Sequence, residues 1–281
     1  MQEPLLNTHC FIEACKRKNV PFRVRDTWGN VVSLSFDGRE YFFVNFATPF
    51  NNGGINQICK DKEFTYRLLK DSVKMPKTLG FFDPKHEDER FYKYKKKLSY
   101  DEVVQKILSE FSLPVIVKMN AGTRGMNVYK CGNEGEVRKS VETIFRKDSR
   151  RYDYIALGQT YIPPVHEFRV VTFREKVLLA YEKDISAARF IGNLSPLHYE
   201  NAKAVHLTDK KTLKVFEKFL MPVFATFPVE FAGFDIVEDK SGLLYLLEIN
   251  TAPGFYHFAK DNGEEPIVGM YERILEMMTL R

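Results

Sequence analysis

Asp235, Glu248 and Asn250 are the residues whose types and spacing could do chemistry together. They interrupt an otherwise apolar stretch, FAGFDIVEDKSGLLYLLEINTAPGFYHF, over Phe231–Phe258. The pattern predicts a hairpin: Phe231–Val237, a Glu-Asp-Lys-Ser-Gly turn at 238–242, then Leu243–Ile249. Glu248 and Asn250 are two apart and share a strand face, and folding at the turn brings Asp235 beside them. Two carboxylates and an amide oxygen form a hard-oxygen set that suits Mg²⁺ better than Zn²⁺. Water and substrate phosphates would complete its coordination. The plainer reading is a strand-end charge at Asp235 and a Glu248 paired with a lysine. A charge inside LLYLLEI is costly unless paired or metal-bound, which favours the metal.

A second stretch, LPVIVKMNAGTRGMNVYKC at 113–131, reads as a strand, a glycine-containing loop and a returning strand. It is neither a Walker A sequence nor a dinucleotide fingerprint, because a strand and not a helix follows the loop. Such a loop can close over a triphosphate, offering backbone N–H groups and Arg124, while Lys118 needs an anionic partner. An ordinary β-turn with Lys118 on an exposed face explains the segment equally well. No Ser/His/Asp or Cys/His constellation is visible. The six histidines are scattered, and core or surface roles suit His166 and His257 best.

The elements that must position these residues follow from periodicity and turn chemistry. Residues 1–60 predict a helix at Thr8–Lys18 and strands at Phe22–Arg25, Val31–Phe36 and Tyr41–Phe46. PFNNGG at 49–54 reads as a linker. Asp61 caps a helix with Phe64, Leu68 and Leu69 inward, and strand Met75–Phe82 follows. Residues 83–98 read as a charged loop or exposed edge. Ser99 and Glu102 form a capping box for helix 100–111, and a second helix runs from Asn133 to about Lys147. Strand Asp153–Leu157 leads into GQTYIPP, then a hairpin, His166–Phe173 and Val177–Glu182. Residues 184–205 read as irregular. Helix 209–227 contains Pro222, expected to bend it. The last helix starts near Pro266, with Ile267, Met270, Ile274, Leu275 and Met278 inward.

With 281 residues, 44% of them hydrophobic, the chain can bury a large core and divide into lobes. A net charge of +5 suits anionic ligands without indicating nucleic acid. Cys10, Cys15, Cys59 and Cys131 lack zinc spacing and read as buried free thiols of a reducing compartment. No secretory leader follows Met1 and no apolar run approaches the roughly 18 residues of a span, so a soluble cytoplasmic protein without a membrane partner is expected.

Taken in order, DK (61–62), PVIVKMNAGTRGMNV, QTYIPPVHEFRVV (159–171), Asp235 and LLEINTAPGF (246–255) resemble the ATP-grasp superfamily. Nearly the whole chain is covered. It looks most like carboxylate–amine ligases, nearest the ATP-grasp modules of cyanophycin synthetase and of bifunctional glutathione-forming enzymes. The ribosomal-protein glutamate ligases stand further off. The resemblance implies an α+β, ATP-grasp fold: a truncated α/β unit (1–60), an N-terminal lobe with the lid loop (61–158) and a C-terminal lobe with the metal site (159–281).

The resemblance also implies roles. Lys62 and Lys203 would reach nucleotide phosphates, and Lys118 the adenine edge or α-phosphate. Gly122, Thr123, Arg124, Gly125 and Met126 would close over them. Gln159, Tyr161 and Ile162 would form the hinge against adenine, and Glu167 would take the ribose hydroxyls. Arg169, with Arg189 and Asn193 of RFIGN, would face the reacting groups. Asp235, Glu248 and Asn250 would hold Mg²⁺, two ions, with Mn²⁺ as the substitute.

ATP would activate a carboxylate donor as an acylphosphate, and an amine acceptor, an amino acid or peptide, would displace phosphate. The basic balance and KYKKK (93–97) point to an acidic donor. Two rivals share the fold: a small-molecule kinase like the inositol phosphate kinases, and a regulatory module that holds ATP without turnover. Some family members carry an arginine two residues before the metal aspartate; here that position is Gly233, which favours the kinase unless Arg169 or Arg189 supplies the charge. A unit of 60 residues leaves little surface for the first substrate, whose recognition would pass to the 83–98 loop or another protein. Such ligases often form dimers or tetramers, so a homo-oligomer is compatible with the resemblance.

Overall fold

The computed structural model describes residues 4–93, 97–122, 125–147, 152–192 and 194–279. The chain begins with α1 (Leu6–Arg17), followed by the antiparallel sheet β1 (Phe22–Val24), β2 (Val31–Phe36) and β3 (Arg39–Val44). One face of α1 buries Cys10, Phe11, Ala14 and Cys15, and Phe11 stacks on Phe43 with ring centroids 3.7 Å apart. This core does not stop at residue 60. It runs on into Phe173, Phe231, Tyr271 and Ile274, so the N-terminal unit and the C-terminal lobe share one apolar interior.

PFNNGG, expected as a linker, does structural work. Asn52 caps α2 (Gly53–Lys60), accepting from Ile55 N at 2.9 Å. Two glycines at the start of an eight-residue helix hide it from propensity. Buried Asn51 donates to Phe231 O (2.6 Å) and accepts from Glu230 N (2.8 Å) and Phe231 N (3.3 Å), anchoring the segment to the hairpin strand. Asn51→Ala strips these bonds from buried backbone groups and should lower unfolding free energy by about 2–3 kcal/mol, read by urea denaturation.

Helix α3 (Lys62–Leu69) has the expected Asp61 cap, with Phe64 N donating to Asp61 Oδ1 at 2.8 Å. Its inward face differs from expectation: Leu69 is buried, but Phe64 and Leu68 are exposed. Glu63 turns inward instead, accepting from Gly80 N at 3.2 Å, while its own N–H donates to Asn120 Oδ1 at 3.0 Å. The polar requirement of the loop after residue 119 sets the helix rotation.

The middle lobe is an antiparallel sheet of order β4 (Thr78–Phe82), β7 (Ile155–Thr160), β5 (Val115–Met119), β6 (Val128–Cys131). Helices α4 (Tyr100–Glu110) and α5 (Glu134–Ile144) cover it, burying Val103, Val104, Ile107, Val137, Val141 and Ile144 against Val115 and Val117. Both expected caps are present: the Ser99/Glu102 box, and Asn133 Oδ1 accepting from Glu136 N at 3.0 Å. Strand β7 includes the GQT segment, so irregular backbone begins only at Tyr161.

The C-terminal lobe is a five-stranded antiparallel sheet of order β10 (Lys203–His206), β9 (Lys176–Asp184), β8 (His166–Phe173), β11 (Phe231–Glu238), β12 (Leu244–Asn250). Strand β10 and a short helix, α7 (Tyr256–Asn262), were not legible in the sequence; α6 (Lys210–Thr226) continues through Pro222. Alternation divides β8, with Phe168 and Val170 facing α6 and Val171 and Phe173 facing the core shared with α1 and α8 (Glu265–Thr279). The five expected inward residues of α8 are all buried. The four cysteines are buried and free, and burial pushes the Cys10, Cys15 and Cys59 thiols up to about 12. Among the described residues no helix is long and apolar enough to cross a membrane.

Candidate active site

Neighbouring strands of the C-terminal sheet deliver polar side chains to one row. Register sets Tyr181 opposite Arg169, Arg169 opposite Asp235, and Asp235 opposite Glu248; two residues along, Gly233 faces Asn250. The hairpin read from the sequence thus brings its three oxygen donors to one face, as period-2 alternation requires.

The row is wired by charge. Arg169 Nε donates to Asp235 Oδ1 (2.7 Å) and a terminal guanidinium nitrogen to Oδ2 (2.8 Å), the two-pronged geometry that only arginine offers. Lys183 Nζ lies 2.7 Å from Asp235 Oδ1 and bonds Glu167 Oε1 at 2.5 Å. Burial opposes ionisation of Asp235, but Arg169 and Lys183 outweigh it and hold the carboxyl far below the usual carboxylate range. Burial also opposes the Lys183 ammonium, and Asp235 and Glu167 keep it charged. Burial pushes Glu167 up, against the pull of Lys183.

Gly233 explains where the guanidinium lies. A Cβ at that position would meet Arg169 Cδ at 3.0 Å and Pro253 Cβ at 3.1 Å. Arg169 therefore lies across the space a side chain at 233 would enter, so β8 supplies the positive charge that β11 lacks.

Above the row stands Lys62, the first residue of α3. Its Nζ donates to Gly122 O (2.6 Å) and lies 3.5 Å from Glu248 Oε2, bridging the glycine loop to the acidic pair. Two cavities meet there, of about 790 and 730 Å³, sharing Lys62, Gly122, Gly125, Lys183, Asp235 and Glu248. Each is within the range of small-molecule sites.

The first cavity lies between the lobes. Gly122, Gly125 and Met126 of the loop line it, with Gln159, Tyr161, Ile162 and Glu167 opposite and Lys118 on its floor. Lys130 sits 4.1 Å over the Tyr161 ring and steadies it. Lys118 is buried, which removes the exposed-face alternative, and its Nζ donates to Gln159 Oε1 at 3.0 Å. Gln159 Nε2 in turn donates to Thr78 Oγ1 at 2.8 Å. No carboxylate pairs with Lys118 among the described residues. Burial first, and the nearby Lys62 second, lower its pKa to about 8. A buried cation with only an amide oxygen for company fits an incoming polyanion.

The oxygen donors fit a hard cation in part. Asp235 Oδ2 accepts from Arg169 at 2.8 Å and Asn250 Oδ1 from Ala252 N at 3.0 Å, which leaves a lone pair on each oxygen. Among the described residues no three His, Cys, Asp or Glu side chains gather as for a metal. Two carboxylates and an amide would leave most of the coordination of Mg²⁺ to phosphate and water.

Other expected residues fall elsewhere. Lys203 is exposed on the edge strand β10, opposite Asp184, and lines neither cavity; Lys183, one strand inward, lines both. The signal for Lys183 was its position two residues after Tyr181 in an apolar strand. Arg189 is 77% exposed, pairs with Glu200 at 2.8 Å and also lines neither cavity. Asn193, Thr123 and Arg124 lie outside the described residues. The 83–98 loop contributes no described residue to either cavity. It is pinned instead by buried Asp83, which accepts from the Tyr152 hydroxyl (3.1 Å), while the Tyr92 hydroxyl donates to its carbonyl (2.7 Å). The N-terminal unit, expected to leave little surface for the first substrate, walls the second cavity with Phe46, Ala47 and Thr48.

A protein-family model described as the RimK-like ATP-grasp domain matches residues 86–274. No curated protein sequence matches the chain. Among solved structures, D-alanine–D-alanine ligase from Bacillus anthracis is similar over 79% of this chain and 66% of its own, at 20% identity and a TM-score of 0.53. The same enzyme complexed with ATP gives 79%, 65%, 20% and 0.52. VanG D-Ala:D-Ser ligase from Enterococcus faecalis gives 79%, 62%, 15% and 0.57. The chain spans about two thirds of the length of these structures, and at such identities the likeness is one of fold.

Proposed function

This chain belongs to the RimK-like ATP-grasp domain family, and from that premise we propose that it is an ATP-dependent carboxylate–amine ligase acting on an amino acid or peptide. The observation that carries the reading is the junction of the two cavities. A nucleotide entering the first and an acid entering the second meet over the row of Arg169, Asp235 and Glu248.

In this reading the triphosphate lies on Lys118 under the glycine loop, with its base between Tyr161, Ile162 and Met126. Phosphate oxygens draw Lys62 from its bond to Gly122 O, releasing the loop to close. Mg²⁺ held by Asp235, Glu248 and Asn250 would neutralise charge on the β- and γ-phosphates. A carboxylate oxygen attacks the γ-phosphorus, the bond to the bridging oxygen breaks, and ADP leaves an acylphosphate. The amine then attacks the acyl carbon, phosphate departs, and the nitrogen loses a proton. Arg169, held by Asp235 beside Gly233, stabilises the oxyanion formed at that carbon.

One ground for a kinase was the lack of a side chain at 233, and the Arg169 side chain lying against that position supports the ligase instead. Hydroxylamine decides between them: a carboxylate donor with ATP and Mg²⁺ should give a hydroxamate and stoichiometric ADP. ADP formed on a hydroxyl acceptor, with no hydroxamate from any acid, would sink the ligase.

A further inference from the structure

Two donors of the charged row find no acceptor among the described residues. Arg169 binds Asp235 through Nε and Nη2, which leaves both hydrogens of Nη1 without a partner there. That nitrogen stands 3.4 Å from the point a Cβ on Gly233 would occupy. The second donor is the hydroxyl of Tyr181, the residue opposite Arg169 in register. Tyr181 is 3% exposed, its ring packed on Phe258 with centroids 5.1 Å apart, yet its hydroxyl makes no hydrogen bond among the described residues. A hydroxyl kept so deep without a partner is costly. Its place in the fold supplies a reason: Tyr181 and Arg169 both line the second cavity, and neither lines the first.

Two open donors on neighbouring strands, both at the cavity that takes the acid, make a seat for one oxygen atom. We propose that Tyr181 is a further catalytic residue: its hydroxyl and Arg169 Nη1 together bind the acyl oxygen of the carboxylate substrate. As the amine nitrogen attacks the acyl carbon, the C=O π pair moves onto that oxygen, and both hydrogen bonds strengthen around the new charge. Collapse returns the pair to the C=O bond and expels phosphate, and no proton leaves Tyr181. The phenol suits a donor and not a base, because burial pushes its pKa up against the pull of Arg169 and Lys183. The oxyanion rests on the ligase reading, but the carboxylate that occupies the same seat beforehand does not.

Binding, turnover and stability of this chain test the assignment separately. Acetate, a carboxylate with almost nothing attached, is titrated into protein carrying tyrosine isotopically labelled at Cζ, with a non-hydrolysable ATP analogue and Mg²⁺ present. The Tyr181 resonance, identified as the one missing from Tyr181→Phe, should shift and saturate. The hydroxylamine assay is run over the amino acids and their N-acetyl derivatives. With an acid that gives hydroxamate, Tyr181→Phe should lower kcat about a hundredfold and change KM less than about fivefold. The same variant should unfold at no lower urea concentration than wild type, since the lost hydroxyl bonds no protein group. A saturating shift with no hydroxamate from any acid upholds the seat and removes the ligase reading. A Tyr181 resonance that acetate leaves unmoved, wild-type kcat in folded Tyr181→Phe, or earlier unfolding of that variant overturns the proposal.

Discussion

Arg169→Ala should lower kcat by roughly 10²–10³-fold, the usual loss when one donor to a developing oxyanion is removed. The same change breaks a buried, two-pronged ion pair with Asp235, so a stability loss of about 3 kcal/mol accompanies it. Activity is therefore compared at low temperature on protein shown to be folded by near-UV circular dichroism. Arg169→Lys keeps the charge but loses the fork, and should fall between alanine and wild type. Gly233→Ala tests the same geometry from the other strand. Its Cβ would crowd Arg169 Cδ at 3.0 Å and should cost about tenfold in kcat by moving the guanidinium. Returning an arginine from the neighbouring strand, in Arg169→Ala/Gly233→Arg, should recover at least tenfold over the alanine variant. Full activity in folded Arg169→Ala would show that the guanidinium only balances Asp235.

Lys118→Met should weaken nucleotide binding about a hundredfold, since a buried cation is lost from the phosphates, while making the ligand-free protein more stable. The second half follows from the sign of the pKa shift. In the folded chain the Lys118 pKa drops from 10.5 to about 8, so folding disfavours its charged form. The corresponding destabilisation is at most about 3 kcal/mol. It is fully present below pH 8, fades between about 8 and 10.5, and is absent above that. Wild type should therefore approach the methionine variant in stability as pH rises through that window. Phosphate contact restores the charge, so nucleotide binding near pH 8 should take up a fraction of a proton, visible by titration calorimetry in buffers of different ionisation enthalpy. If Lys118→Met lowers stability and leaves affinity unchanged, the lysine is a core strut and the first cavity is not the phosphate site.

Local features of the chain declared themselves in the sequence. Period-2 alternation set Asp235, Glu248 and Asn250 on one face, and the turn at 238–242 set which strands pair. The capping residues Asp61, Ser99 and Asn133 announced their helices because each side chain bonds a backbone N–H only three residues away. Strands β5, β6 and β8 were read nearly to the residue, since apolar runs bounded by turns leave few alternatives. Short elements escaped. Helices α2 and α7 have eight and seven residues, and β10 four, too few for periodicity to exceed chance.

Taken alone, the sequence determined the hard-oxygen hairpin and the strands on either side of the glycine loop, because each depends on contacts between residues close in the chain. Only the tertiary structure decided which cations serve the site. Lys183 enters and Lys203 stays outside through a one-strand difference in sheet order, and Arg189 turns to solvent to meet Glu200. Arg169 reaches the space over Gly233 across 64 residues of sequence, through register between β8 and β11. The wall from Phe46 to Thr48 reaches the same centre from the far end of the chain, carried there by a core that α1 shares with α8. Cross-strand register and shared cores are set by packing between distant segments, and no local pattern in the chain records them.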